Sequence, residues 1–374
     1  MKNTKGFARQ KEALTQACHE FWKRFQQHAA EFFAVLDQGT PDDVDEKFFR
    51  KIAPWLENIS NEFFYLAGMY DEHTAELILT AEGNLKNFVL VETLVDAAPA
   101  LKNWKITALK PPDDDENQVI HLEEGLKFGA DNLSFYLEED PDYPEEINVV
   151  VVDADFNEDN QERIRFGCNL FLDNYLGERY FATAIDNLRV VGEAEATYEP
   201  LPINKLKGLL LTQQTRFAAS HTHIDDIDVD AIDLDHGDHY SLLEGRLNNT
   251  KLIVALVNDR LLNLNVGALY PWVAVLTLPY ESQGDSGMPD KKTLKLLDEA
   301  EEEILAELSP NSGCLYIARE TGNDERTLYF ANEDFRAISQ FFYYAQKKYA
   351  EAFELDCELY KDRYWRTFRR FVRK

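Results

Sequence analysis

The sequence predicts an α+β protein, with a helical hairpin at the N-terminus and two α/β sandwich domains, residues 1–205 in the first half and 206–374 in the second. Three observations carry this. Apolar side chains in the first seventy residues recur at three-, four- and seven-residue steps, the period of an amphipathic helix. Beyond them, short runs of Val, Ile, Leu and Thr alternate with helical stretches, as in mixed layers around a core. A length of 374 residues with 45% hydrophobic composition suits two ordinary domains and excludes a disordered chain.

The first helix places Leu14, Cys18, Phe21, Phe25, Phe32 and Leu36 on one face, with Trp22 and His28 beside them. Thr40-Pro41-Asp42-Asp43 opens the second helix. Thr40 is a cap, Pro41 suits the first helical position, and the two acids favour the positive helix end. This helix buries Val44, Phe48, Ile52, Leu56, Ile59 and Phe63, and Pro54 is expected to bend or break it. A strand at 76–80 follows, then a turn at Glu82-Gly83-Asn84, a helix over 88–98 and a strand at 104–109. Strands at 133–137 and 147–152, a helix over 160–176 and a strand at 185–191 complete the half. Val149, Val150, Val151 and Val152 in a row predict a strand buried on both faces. Residues 206–211 read as a short apolar segment of the connection.

In the second half, strands are expected at 252–257 and 261–264, joined by Asn258-Asp259-Arg260. Then come a strand at 272–278, a glycine-bearing loop at 282–289 and a helix over 293–308. A hairpin follows around Gly322-Asn323, then a helix over 334–349, a strand at 353–360 and a last helix over 365–372. From residue 272 the order is β-α-β-β-α-β, which is ferredoxin-like.

Acidic residues number 68 and basic residues 39, for a formal charge of −29. A field of this sign repels phosphate backbones and anionic membrane surfaces, so neither nucleic acid nor membrane is expected as a partner. A basic protein partner is electrostatically easier. The start lacks the apolar stretch of a signal peptide, and no window approaches the roughly 18 apolar residues of a membrane span. Cys18, Cys168, Cys314 and Cys357 form no CxxC pair. They read as free thiols in a reducing compartment, and a cytoplasmic location is expected.

The C-terminal half resembles the bacterial domain of unknown function 695 family. Its carrying residues are Pro271-Trp272 entering a strand, Gly287-Met288-Pro289 before an acidic helix, Arg319-Glu320-Thr321 at the hairpin, and Asp362-Arg363-Tyr364-Trp365 near the end. The N-terminal half resembles a region often found beside that domain, through Glu76-Leu77-Ile78, Ala97-Ala98-Pro99, Trp104 and Leu176-Gly177-Glu178. The resemblance implies a fold but no activity and no catalytic residues.

Imidazoles and carboxylates concentrate in residues 221–239, where His221, His223, Asp226 and Asp228 are candidate metal ligands. A calcium loop is excluded there, because Ala231 stands where glycine is required and Gly237 where a bidentate glutamate is required. The alternation of Ile227 and Val229 with aspartates also suits a charged edge strand. Gly284-Asp285-Ser286-Gly287 imitates a protease nucleophile segment, but the surrounding pattern is not a pair of all-β barrels. Ser286 and Gly287 are candidate binding residues in a strand-to-helix loop, together with Arg319 and Trp365. There is no GxxxxGK[ST], no GxGxxG after a strand and no HExxH. The basic residues 363–374 read as a docked last helix. The expectation is a non-catalytic protein-binding or regulatory module without a cofactor. The alternative is a metal-dependent hydrolase or metal-binding protein using residues 221–239.

Overall fold

A helix-period stripe of aromatic side chains leads the chain into α1 (Ala8–Gln38). The computed structural model describes residues 7–113, 115, 118–220, 240–246, 251–264, 266–282, 285–308 and 312–372. They are mixed α and β, and divide into two compact units: residues 17–222, and residues 223–374 together with 1–16.

In the first of these units, Phe21, Trp22, Phe25 and Phe32 of α1 are buried. Thr40 caps α2 (Pro41–Val44) in a reciprocal box with Asp43, as its sequence predicts. A π turn at Asp45–Phe49 follows, then α3 (Arg50–Glu57), which accommodates Pro54 in its interior. Phe48, Ile52 and Leu56 are buried as the spacing requires. The helical reading stops there. Phe64–Asp71 is a strand, β1, paired antiparallel with β2 (Thr74–Thr80). After α4 (Leu85–Asp96), β3 (Trp104–Ala108) pairs parallel with β2. The inner face of this three-stranded sheet presents Ala75, Leu77, Leu79 and Trp104, and the Trp104 ring meets Phe25 edge-on at 4.9 Å.

The remainder of this unit contains β4 (Ile120–His121), β5 (Lys127–Phe128), β6 (Leu133–Glu138) and β7 (Asn148–Asp153). Then come α5 (Gln161–Leu176), α6 (Glu178–Ala184), β8 (Asn187–Gly192), β9 (Leu201–Pro202) and α7 (Leu206–Ser220). The strand order of the larger sheet is β8-β7-β6-β9. Its central strand has the predicted burial on both sides. Val149 and Val151 pack with Ile164, Cys168 and Leu172, and Val150 and Val152 pack with Tyr136 and Val191. The apolar segment at 206–211 is the start of a helix. Leu206, Leu210 and Phe217 join the same core, so the expected boundary at 205/206 falls at the first residue of α7. A side chain at Gly167 of α5 would run into the Phe128 ring, whose atoms lie 2.1–2.5 Å from the position of its Cβ.

In the other unit, β10 (Tyr240–Arg246) pairs with β11 (Leu252–Asn258). No second strand follows at 261–264. Asn258 accepts from the Leu261 amide and starts α8 (Asp259–Leu262), because an asparagine before a helical turn satisfies a donor that a hairpin would leave free. Then come β12 (Trp272–Pro279), α9 (Lys291–Glu307), β13 (Cys314–Gly322), β14 (Glu325–Asn332), α10 (Phe335–Tyr349) and β15 (Asp356–Lys361). All are in one sheet with the helices excepted, in the order β10-β11-β13-β14-β12-β15, and every neighbouring pair is antiparallel. One face carries α9 and α10. The other carries α8, Val266, Tyr270, Trp365, Phe368 and Phe371. The last segment, Arg366–Phe371, is a 3₁₀ helix where an α-helix is expected. The Asp362 carboxylate accepts from the Arg366 and Thr367 amides at 3.0 and 2.8 Å, and Trp365 takes a left-handed conformation to enter it.

Two outcomes follow from the core of the larger helix-bearing sheet. Gly167→Ala overpacks the helix against Phe128 and should lower stability by about 1–3 kcal/mol, read as a lower urea midpoint. Asp153, at the end of β7, is 0% exposed, and burial pushes its carboxyl from 3.8 up to about 6. The folded chain then holds this proton more tightly than the unfolded one, so stability is lost as pH rises through that window, by up to about 3 kcal/mol. In urea melts, Asp153→Asn should gain on the native chain by about that amount between pH 4 and pH 7. A gap independent of pH would show that Asp153 ionises without cost.

Candidate functional site

The segment expected to bind a partner carries a buried ionic cluster beneath α9. Glu301, spaced to face the sheet, is 5% exposed. Its carboxylate accepts from the Tyr316 hydroxyl at 2.9 Å and takes two bonds of 2.9 Å from Arg319. Arg326, 1% exposed, donates to Glu301 at 2.9 Å and to Asp298 at 2.8 Å, while its Nε donates to Thr321 at 3.0 Å. Burial, then the Glu301 charge, push the Tyr316 phenol well above its usual range, so it is a neutral donor. Arg319 is thus held through a single nitrogen, Nη1, which donates to both oxygens of the Glu301 carboxylate.

Ser286 and Gly287 lie together before α9. The Gly287 carbonyl accepts from the Tyr280 hydroxyl at 2.9 Å and from the Asp324 amide at 3.0 Å. Gly287 has φ +68°, and a Cβ there would lie 2.9 Å from the Asn323 backbone, so the loop touches the β13–β14 turn through a residue that must be glycine. The Ser286 hydroxyl accepts from the Met288 amide at 3.2 Å. Trp365 is in the core of the opposite face, where its indole donates to the Tyr270 carbonyl at 3.0 Å. The four residues therefore do not converge: Ser286 and Gly287 share a loop, Arg319 is under α9, and Trp365 is across the sheet.

Residues 244–372 match the family of unknown function DUF695. The match falls on the C-terminal half, where the sequence resemblance is found, and covers the ionic cluster, the Gly287 loop and Trp365. No curated protein matches the chain, and no solved structure does. The DUF695 description supplies no reaction.

His221, His223, Asp226 and Asp228 lie outside the described residues. Among the described residues there is no cluster of three or more His, Cys, Asp or Glu side chains able to hold a metal ion. None of their helices is long and apolar enough to cross a membrane.

Ahead of the DUF695 segment, the structure places two open features that no sequence motif announces. One is the outer face of β1, where Phe64, Leu66 and Tyr70 are 52%, 49% and 58% exposed. Among the described residues β1 is bonded only to β2, and no described strand pairs with its other edge. Beside the apolar stripe, Lys105 lies 3.8 Å over the Tyr70 ring and pairs with Glu76 at 2.9 Å. Residues 64–70 are apolar on both faces, which erases the alternation that marks a strand. The other feature is a cavity of about 390 Å³ between the β6–β7 connection and the last turns of α7. It joins residues some seventy positions apart.

Arg326→Met should destabilise the DUF695 segment by about 3–5 kcal/mol, because Glu301 is left buried with less compensation. The check is chemical denaturation of the variant. An unchanged midpoint would mean that Glu301 is satisfied by Tyr316 and Arg319 alone.

Proposed function

We propose that the protein is a non-catalytic binding module that takes up an extended, basic and apolar segment of a partner protein along β1. The single observation behind this reading is the stripe of Phe64, Leu66 and Tyr70, half exposed on a strand whose second edge pairs with no strand among the described residues. Exposed apolar residues scattered singly are ordinary, whereas a row of them on an unpaired strand suits strand addition. An incoming strand would gain main-chain hydrogen bonds from the edge and apolar contact from the face. The partner's charge follows from the surroundings: the chain carries −29, and Asp71 and Glu72 lie at the end of β1. In the DUF695 segment, the same reading gives contacts to the loop of Ser286 and Gly287, with Arg319 and Trp365 holding the sheet behind it. We read β12 to β15 with α9 and α10 as a ferredoxin-like core. The connection order and the strand order β15-β12-β14-β13 support that reading, with β11 and β10 as additions.

The test uses an octapeptide alternating lysine and valine, followed by fluorescence anisotropy and amide hydrogen exchange. Binding should slow exchange at the β1 amides and weaken on added salt. Leu66→Glu should weaken it at least about tenfold, the scale of losing one buried apolar anchor. Protection appearing only in other strands, or affinity indifferent to Leu66→Glu, would overturn the assignment to β1.

A further inference from the structure

We infer that the cavity beside α7 is a binding site for an organic cation, an ammonium or guanidinium group on an apolar stem. The inference is independent of partner binding at β1. It begins from shape: about 390 Å³ falls within the range of small-molecule sites. Leu137, Ile147 and Phe217 are among its lining residues, and the last two are at most 9% exposed, so the cavity has an apolar floor. Tyr198, 54% exposed, is on the wall with its ring packed at 5.4 Å against Tyr136, and an aromatic ring there is a group that attracts a cation.

The charges decide the ligand's sign. Four carboxylates line the cavity, those of Glu138, Glu139, Asp140 and Glu146, against one cation, Arg216. Their internal commitments differ. Glu138 is taken by Arg189 through two bonds of 3.0 Å. Glu146 accepts from Asn187 at 3.3 Å, and Asp140 accepts from the Asp142 amide at 2.9 Å. Glu139 has no ion pair or hydrogen bond among the described residues, and it does not reach Arg216. An apolar stem on the floor would therefore bring its charged head to a rim where a carboxylate is uncommitted and the surplus charge is negative. A neutral apolar ligand would leave that surplus unused, and an anion would meet repulsion from four sides.

The probe is agmatine, which carries a guanidinium and an ammonium on a four-carbon chain, titrated calorimetrically into the full chain. One-to-one binding is expected, falling with salt. Glu139→Gln should weaken it by about three- to tenfold, and Arg216→Gln should tighten it by a few-fold, because the two charges act with opposite sign on a cation. Tyr198→Leu should weaken it about threefold. Among the described residues Glu139 and Arg216 have no ion pair, so the urea midpoints of their variants should match the native chain, whereas Tyr198→Leu also loses the ring contact with Tyr136. No heat at millimolar agmatine, equal affinity for the uncharged alcohol n-butanol, or weaker binding in Arg216→Gln would each overturn the proposal.

Discussion

Among the residues preceding the DUF695 segment, the arrangement depends on one buried carboxylate. Glu178, the first residue of α6, is 0% exposed. It accepts four hydrogen bonds: from the Thr80 hydroxyl at 2.6 Å and from the Ala81, Gly83 and Lys110 amides at 3.0 Å each. Thr80 is the last residue of β2, and the three amides lie just beyond the ends of β2 and β3, where backbone groups run out of ladder partners. A burial that would be prohibitive for a lone charge is offset by donors on every side. Nearby, Lys110 donates to Asp173 of α5 at 2.7 Å, a second tie between the three-stranded sheet and the helices of the larger one. The outer face of β1 inherits its position from this anchor, since β2 is both the anchored strand and the neighbour of β1.

The DUF695 segment solves the same problem with arginine. Glu301 and Arg326 sit under a helix whose solvent side is densely acidic. The two guanidiniums that reach Glu301 are confined by it and by Asp298 and Thr321. On the opposite face, Glu320 accepts from Tyr329 and Arg370 at 2.7 Å each. Much of the scarce positive charge near this sheet is thus committed internally, and the surplus of carboxylates is left to face water. The negative field follows from the excess of 68 acidic over 39 basic residues, which internal pairing leaves unchanged.

Periodicity made much of the fold legible. The steps from Phe48 to Ile52 to Leu56 gave a buried helix face, the four valines gave a strand covered on both sides, and the β-α-β-β-α-β order of the last hundred residues was readable from pattern alone. Where the reading failed, a local signal was ambiguous. Residues 64–70 are apolar at both odd and even positions, so they continued the helical pattern. Asn258-Asp259-Arg260 serves a hairpin and a helix start equally, and only the bond from Leu261 decides between them. Around residues 362–367 the competition is between an α turn and capture of amides by Asp362, which spacing does not reveal. The open features were less legible still. A cavity built from residues 137–148 and 213–217 is a product of tertiary packing, and nothing in either stretch names the other.

The four cysteines carry a practical consequence. Cys18, Cys168, Cys314 and Cys357 are all outside disulfides and no more than 2% exposed, and burial pushes the Cys18 thiol up to about 11 and those of Cys168 and Cys314 further still. Nucleophilic attack requires an accessible thiolate, and the native fold offers none of the four. A single cysteine engineered onto the surface would therefore react with maleimide dyes or spin labels against a silent background, with the wild-type thiols left in place.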